Sequence, residues 1–155
     1  MSDRLVHGFS AIAGAALTSH SGKVMKVTGA DSSKTLPTVT IVAAAGYVNA
    51  GEIPCGLLIE GRASGLTVGV QDDGEHTEAI AGDTLTPGTH YELSYDSSGR
   101  LIPALAGMFV VALFRGTKAV AVNGYARVAC VKPYKLGLSA GGERLIALSD
   151  AAEAG

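Results

Sequence analysis

At 155 residues the chain fits a single domain with room for a substantial core. Apolar residues make up 47% of it and charged residues only 17%, below the about 25% of an average soluble domain, so part of the surface is expected to be covered by other subunits. The net charge of −2, with Lys and Arg scattered, excludes an electrostatic footprint for nucleic acid, and no apolar run approaches the ~20 residues of a membrane helix.

Residues 1–22 read as an extended N-terminal arm. Leu5, Phe9, Ile12 and Leu17 stand among Gly, Ala and Ser without a period that would bury them in their own domain, so they are the expected partner contacts. The alternative is that the segment closes a barrel as an edge strand. Phe9–Leu17 has the small-residue character of a secretory signal, but His7, Ser10 and Gly14 dilute the run and argue against one.

Residues 23–148 read as one β-domain and residues 149–155 as a polar tail. Lys23–Thr28 alternates as a strand, and Thr38–Ala45 carries the β-branched run of another. Leu57–Glu60 and Leu66–Gln71 follow as strands. Asp73-Gly74 is then expected to reverse the chain as a type I′ hairpin into Glu75–Ile80, because that turn needs φ > 0 at both central residues. Thr86-Pro87-Gly88-Thr89 is a further reversal, Tyr91–Tyr95 alternates as a half-buried strand, and Asp96-Ser97-Ser98-Gly99 leads into the returning strand Arg100–Ile102. Met108–Phe114 lacks alternation and contains helix formers, but Val110-Val111 and the interruption at Gly107 favour a strand. Asn123-Gly124 repeats the hairpin signal between Ala119–Val122 and Tyr125–Val131. Glu143–Leu148 is a late strand or a single helical turn. The fold class is therefore all-β, a small barrel or a two-sheet sandwich.

No chemical motif stands out. Asp72–Glu78 is acidic but lacks the alternating oxygen ligands and later bidentate Glu of a calcium loop, and reads as a solvated hairpin tip. His7, His20, His76 and His90 form no closely spaced metal-ligand pair. Gly22-Lys23 is followed by Val24 and lacks the spacing of a phosphate loop, and Ser10 lacks the flanking glycine of a nucleophile elbow. Neither catalysis nor a cofactor is expected. Cys55 and Cys130 each lie in an apolar stretch, which suits buried thiols, while a bridge between them stays open.

One stretch carries a resemblance. Gly82-Asp83, Gly88-Thr89-His90-Tyr91-Glu92-Leu93 and Asp96-Ser97-Ser98-Gly99-Arg100-Leu101-Ile102-Pro103-Ala104 form a phrase that resembles bacteriophage capsid decoration proteins, also called head-stabilising or cement proteins. Pro54–Leu58, Leu66–Val70 and the apolar Met108–Leu113 are similar to the strands around that phrase, so the likeness spans residues 46–131. It implies a structural protein of the virion, made in the host cytoplasm and bound to the outside of the capsid. It implies the major capsid protein and sister copies in a homotrimer as partners, with no nucleic acid and no membrane. The alternative expectation is a phage tail or adhesin module that binds a host glycan or receptor, for which 5% aromatic residues is a sparse supply.

Overall fold

The computed structural model describes residues 7–30 and 35–137. Apart from one turn of 3-10 helix, Val48–Ala50, their regular structure is all β: β1 (His7–Ala13), β2 (Val24–Ala30), β3 (Pro37–Ile41), β4 (Pro54–Leu58), β5 (Thr67–Ile80), β6 (Glu92–Tyr95), β7 (Leu101–Pro103), β8 (Phe109–Phe114) and β9 (Tyr125–Lys135). Strands β1 to β5 close into a barrel in the order β1-β3-β2-β4-β5, with β5 returning to β1. From β5 a second sheet continues as β9-β8-β6-β7. Its last strand comes back to the end of β5 through a single isolated bridge between Leu101 and Ala81, where the Gly82 N–H donates to the Leu101 carbonyl at 2.7 Å; this curled sheet, closed by that bridge alone, is called the second barrel.

β5 joins the two units. Up to Asp73 it pairs with β1 and β4, and from Gly74 it pairs with β9. The hairpin expected at Asp73-Gly74 is therefore absent, and the dipeptide lies inside one 14-residue strand. A type I′ turn needs two residues with φ > 0, and here only Gly74 has one, at φ 85, while among the described non-glycine residues positive φ occurs at Asn123 alone. One left-handed residue bends a strand and re-aims it; it does not reverse it. The same correction applies to the acidic tip, because Asp72 and Glu75 lie along the strand and pair with Lys132 and Arg127 of β9.

The other turns form. Gly88 has φ 80 behind Pro87, and the Thr89 N–H donates to the Thr86 carbonyl at 3.1 Å. The Asp96 carboxylate accepts from the Ser98 and Arg100 N–H groups, each at 2.9 Å, and closes the β6–β7 hairpin. At Asn123 the chain turns with φ 68 at that residue. The preceding Val120, however, bridges to Leu85 and not to β9, whose partners are β5 and β8. β8 is the strand expected over Met108–Phe114, and β6 is buried on both faces, since Leu93, Ser94 and Tyr95 are all enclosed between β7 and β8.

The N-terminal segment is extended but is not a free arm. β1 pairs with β5 on one side and β3 on the other, and Ala11, Ile12, Ala13 and Leu17 are buried. The boundary expected at residue 22 thus falls inside the first barrel. The missing helical period that made the apolar residues look available is what a strand with neighbours on both edges produces. Glu143–Leu148 and the tail lie outside the described residues.

Two cores result. Leu17, Met25, Val39, Leu58 and Val70 fill the first barrel. Val24, Leu57, Leu93, Tyr95, Leu101, Phe109 and Phe114 belong to the second. Successive strand residues point to opposite faces, so Val24 and Met25, like Leu57 and Leu58, enter different cores. β2 and β4 form the wall between them, which explains why these positions are apolar in consecutive pairs. Cys55 packs against the first core and Cys130 lies in the second; both thiols are unpaired. Burial, reinforced by Asp72, pushes each up to about 12.

Candidate functional site

Two surface features stand out, one assembled from distant parts of the chain and one from a single stretch. The first is a groove of about 280 Å³ at the junction of the barrels. One wall is the loop Thr18–Lys23, laid against β5: the Gly22 N–H donates to the Leu58 carbonyl at 2.8 Å and the Gly22 carbonyl accepts from the Ile80 N–H at 3.2 Å. A side chain at Gly22 would put its Cβ 2.3 Å from the Glu78 carbonyl oxygen, so this close approach requires glycine. The opposite wall is the turn and first residue of β9, Asn123 and Tyr125, and His76, Glu78 and Ile80 of β5 also line the groove.

His76 is held in one orientation. The Gln71 amide nitrogen donates to the Asp73 and Glu75 carbonyls at 3.0 and 2.9 Å, so its oxygen is the acceptor for His76 Nδ1 at 2.9 Å. That places the proton of the neutral ring on Nδ1. Nε2 is enclosed and has no hydrogen-bond partner among the described residues. Burial lowers the His76 pKa against the opposing pull of Glu78. His20 is lowered as well, by burial and then by the ammonium of Lys23, which approaches its Nδ1 at 3.4 Å.

The second feature is a recess of about 390 Å³ at the far end of the second barrel, between Thr89–Glu92 and Pro103–Leu105. Its backbone is fixed: the Ala104 N–H donates to the Glu92 carbonyl at 2.9 Å and the Phe114 N–H to the Tyr91 carbonyl at 2.8 Å. His90 Nδ1 accepts from the Thr86 N–H at 3.0 Å, and the Tyr134 hydroxyl donates to the Glu92 carboxylate at 2.7 Å. On this frame Tyr91 and Leu105 both line the recess, 54% and 57% exposed. Large exposed apolar side chains that line one recess make it a candidate contact surface.

The residues expected to touch a partner lie at neither place. Phe9 and Leu17 pack in the first core, Ile12 is buried on the other face of β1, and Leu5 lies outside the described residues. Among the described residues no group of three or more His, Cys, Asp or Glu comes together as a metal site. Tyr91 was missed because alternation with Leu93 and Tyr95 placed it in the core, whereas β6 begins one residue later, at Glu92. For the groove the only sequence signals were the turn at Asn123 and the i, i+2 spacing of His76 and Glu78 on one strand. In comparison with known proteins, no family model matches the chain and no curated protein matches it.

Proposed function

We propose that this protein is a bacteriophage capsid decoration protein, which docks on the outer surface of an assembled shell and bridges neighbouring major capsid subunits. The observation that supports this reading is the fate of the stretch that carries the resemblance. Its two halves, Gly88–Leu93 and Leu101–Ala104, fold against each other and, with Leu105, form the recess that exposes Tyr91 and Leu105. A partner that buries one such side chain gains about 1.5–3 kcal/mol per residue. Because the recess stands on paired strands, little ordering is lost on docking. The low charged fraction, 17%, is consistent with a surface that is covered in use.

Such a protein needs no active site. It binds the intact shell and not its separated subunits, and so stabilises the shell by mass action. A homotrimer places three recesses on one particle, and linked contacts hold far more strongly than one alone. Sedimentation of the purified chain with empty shells of the phage that encodes it tests the reading. The expected result is saturable co-sedimentation, a higher melting temperature of the decorated shell, and a free species heavier than a monomer. A chain that stays in the supernatant and leaves shell melting unchanged overturns it.

A further inference from the structure

The junction groove shares no residue with the recess, and capsid attachment leaves its chemistry unused. We propose that it is a binding site for a neutral saccharide, one or two sugar rings in size.

Charge narrows the ligand first. Lys23 and Glu78 line the same groove but form no ion pair with each other, and no other Lys, Arg, Asp or Glu lines it. A phosphate or other anion would meet one ammonium offset by one carboxylate, and a free cation would meet the same pair in reverse. Both are disfavoured against an uncharged ligand that hydrogen-bonds to each. A hydroxyl does this, because it donates to the carboxylate and accepts from the ammonium.

The remaining wall is built for the same type of molecule. Thr18 and Ser19 add hydroxyls at the loop side. Asn123 accepts from Arg100 through Oδ1 at 3.0 Å, which leaves its NH2 group to donate. Tyr125 is 66% exposed and presents a large aromatic ring at the groove, next to aliphatic Ile59 and Ile80. A sugar ring has an apolar C–H face and a rim of hydroxyls. An aromatic surface flanked by convergent donors and acceptors matches both at once. The volume of about 280 Å³ lies just under the ~300–1,000 Å³ of small-molecule clefts, the size of a small ligand and not of a folded partner.

The site is also preformed. Its loop wall is tied to β4 and β5 through both backbone groups of Gly22, and the Asn123 N–H donates to the Ala81 carbonyl at 2.7 Å. Little of the binding free energy is therefore lost to ordering the walls.

The test is titration of the full chain with glucose, galactose, N-acetylglucosamine and N-acetylgalactosamine, followed by amide NMR shifts. At least one of these sugars is expected to move the Gly22, Glu78 and Asn123 amides saturably, with affinity in the millimolar range. Tyr125→Ala should weaken that binding about tenfold, in line with the removal of one aromatic surface, while Tyr125→Phe retains it. Tyr125 is exposed, so both variants should fold and still sediment with shells, which separates this outcome from the fate of the capsid reading. Three results would overturn the inference: no sugar in the panel shifts those amides, inorganic phosphate shifts them at lower concentration than any sugar, or Tyr125→Ala binds as well as the unaltered protein.

Discussion

The two barrels share β5 but are built on different terms. The first is closed by strand pairing all the way round, and its interior combines Leu17, Met25 and Leu58 with the small and medium side chains Ala11, Ala13, Val39 and Val70. Strand β1 approaches so closely that a Cβ at Gly8 would lie 2.0 Å from the Val70 carbonyl oxygen. The second barrel encloses Tyr95, Phe109 and Phe114 with Leu85, Leu93 and Leu101, and closes on β5 through the bridge at Ala81. Large side chains, three of them aromatic, fill it, and Tyr91 and Leu105 are among those left exposed. The first barrel is thus limited by backbone approach at β1, whereas the second depends on aromatic packing, and both candidate binding features touch it.

This contrast predicts a different weak point in each barrel. In the second barrel, truncating a large residue opens a cavity, and Leu101→Ala should cost about 2–5 kcal/mol. In the first, adding a single methyl group should be the damaging change, with Gly8→Ala costing about 1–3 kcal/mol because a backbone oxygen stands in the way. Both are read from urea denaturation midpoints. Since β5 belongs to both ladders, each variant should shift one common transition. Two separate transitions would show that the barrels fold independently, and a harmless Gly8→Ala would show that β1 has room to move.

A smaller effect concerns the wall between them. The Glu52 carboxylate accepts from the Ala43 and Ala44 N–H groups, at 2.9 Å to each, and pairs with Lys26 of β2. Burial pushes its pKa up, but Lys26 and the two N–H donors outweigh burial, and the net shift is downward. A carboxylate with a lowered folded pKa adds stability that is fully present above its unfolded value, about 4.5, and is lost as pH falls through the folded value. Stability measured from neutral pH into the acid range should therefore fall below that point. Glu52→Gln should flatten this part of the profile, and at neutral pH cost about 1 kcal/mol. An unchanged acid limb in Glu52→Gln would assign the dependence to other groups.

Much of the fold was legible because turn chemistry is local. Pro87-Gly88 and the Asp96 loop predicted their reversals, and β-branching placed β8 correctly. Asp73-Gly74 misled because the dipeptide permits a type I′ turn without enforcing one. Whether it reverses or merely bends depends on pairing with β9, a segment more than fifty residues away. β1 misled for a related reason, as only tertiary closure shows that Leu17 has a core to enter and that Ile12 is covered. The groove is less legible still, being assembled from Lys23, Glu78 and Tyr125 across both barrels. The recess was half visible: its sequence stood out as a phrase, but the outward position of Tyr91 depends on where β6 begins.

The proposed attachment of the second barrel to a shell is tested most directly by removing the two exposed side chains together. Tyr91→Ser with Leu105→Ser alters no buried residue, so the melting temperature should stay within a few degrees of the original. Co-sedimentation with empty shells of the encoding phage, measured over a concentration series, should then weaken by at least about tenfold, because each copy no longer buries two large apolar side chains against the shell. Binding to shells at the original affinity by a fully folded double variant would contradict the account.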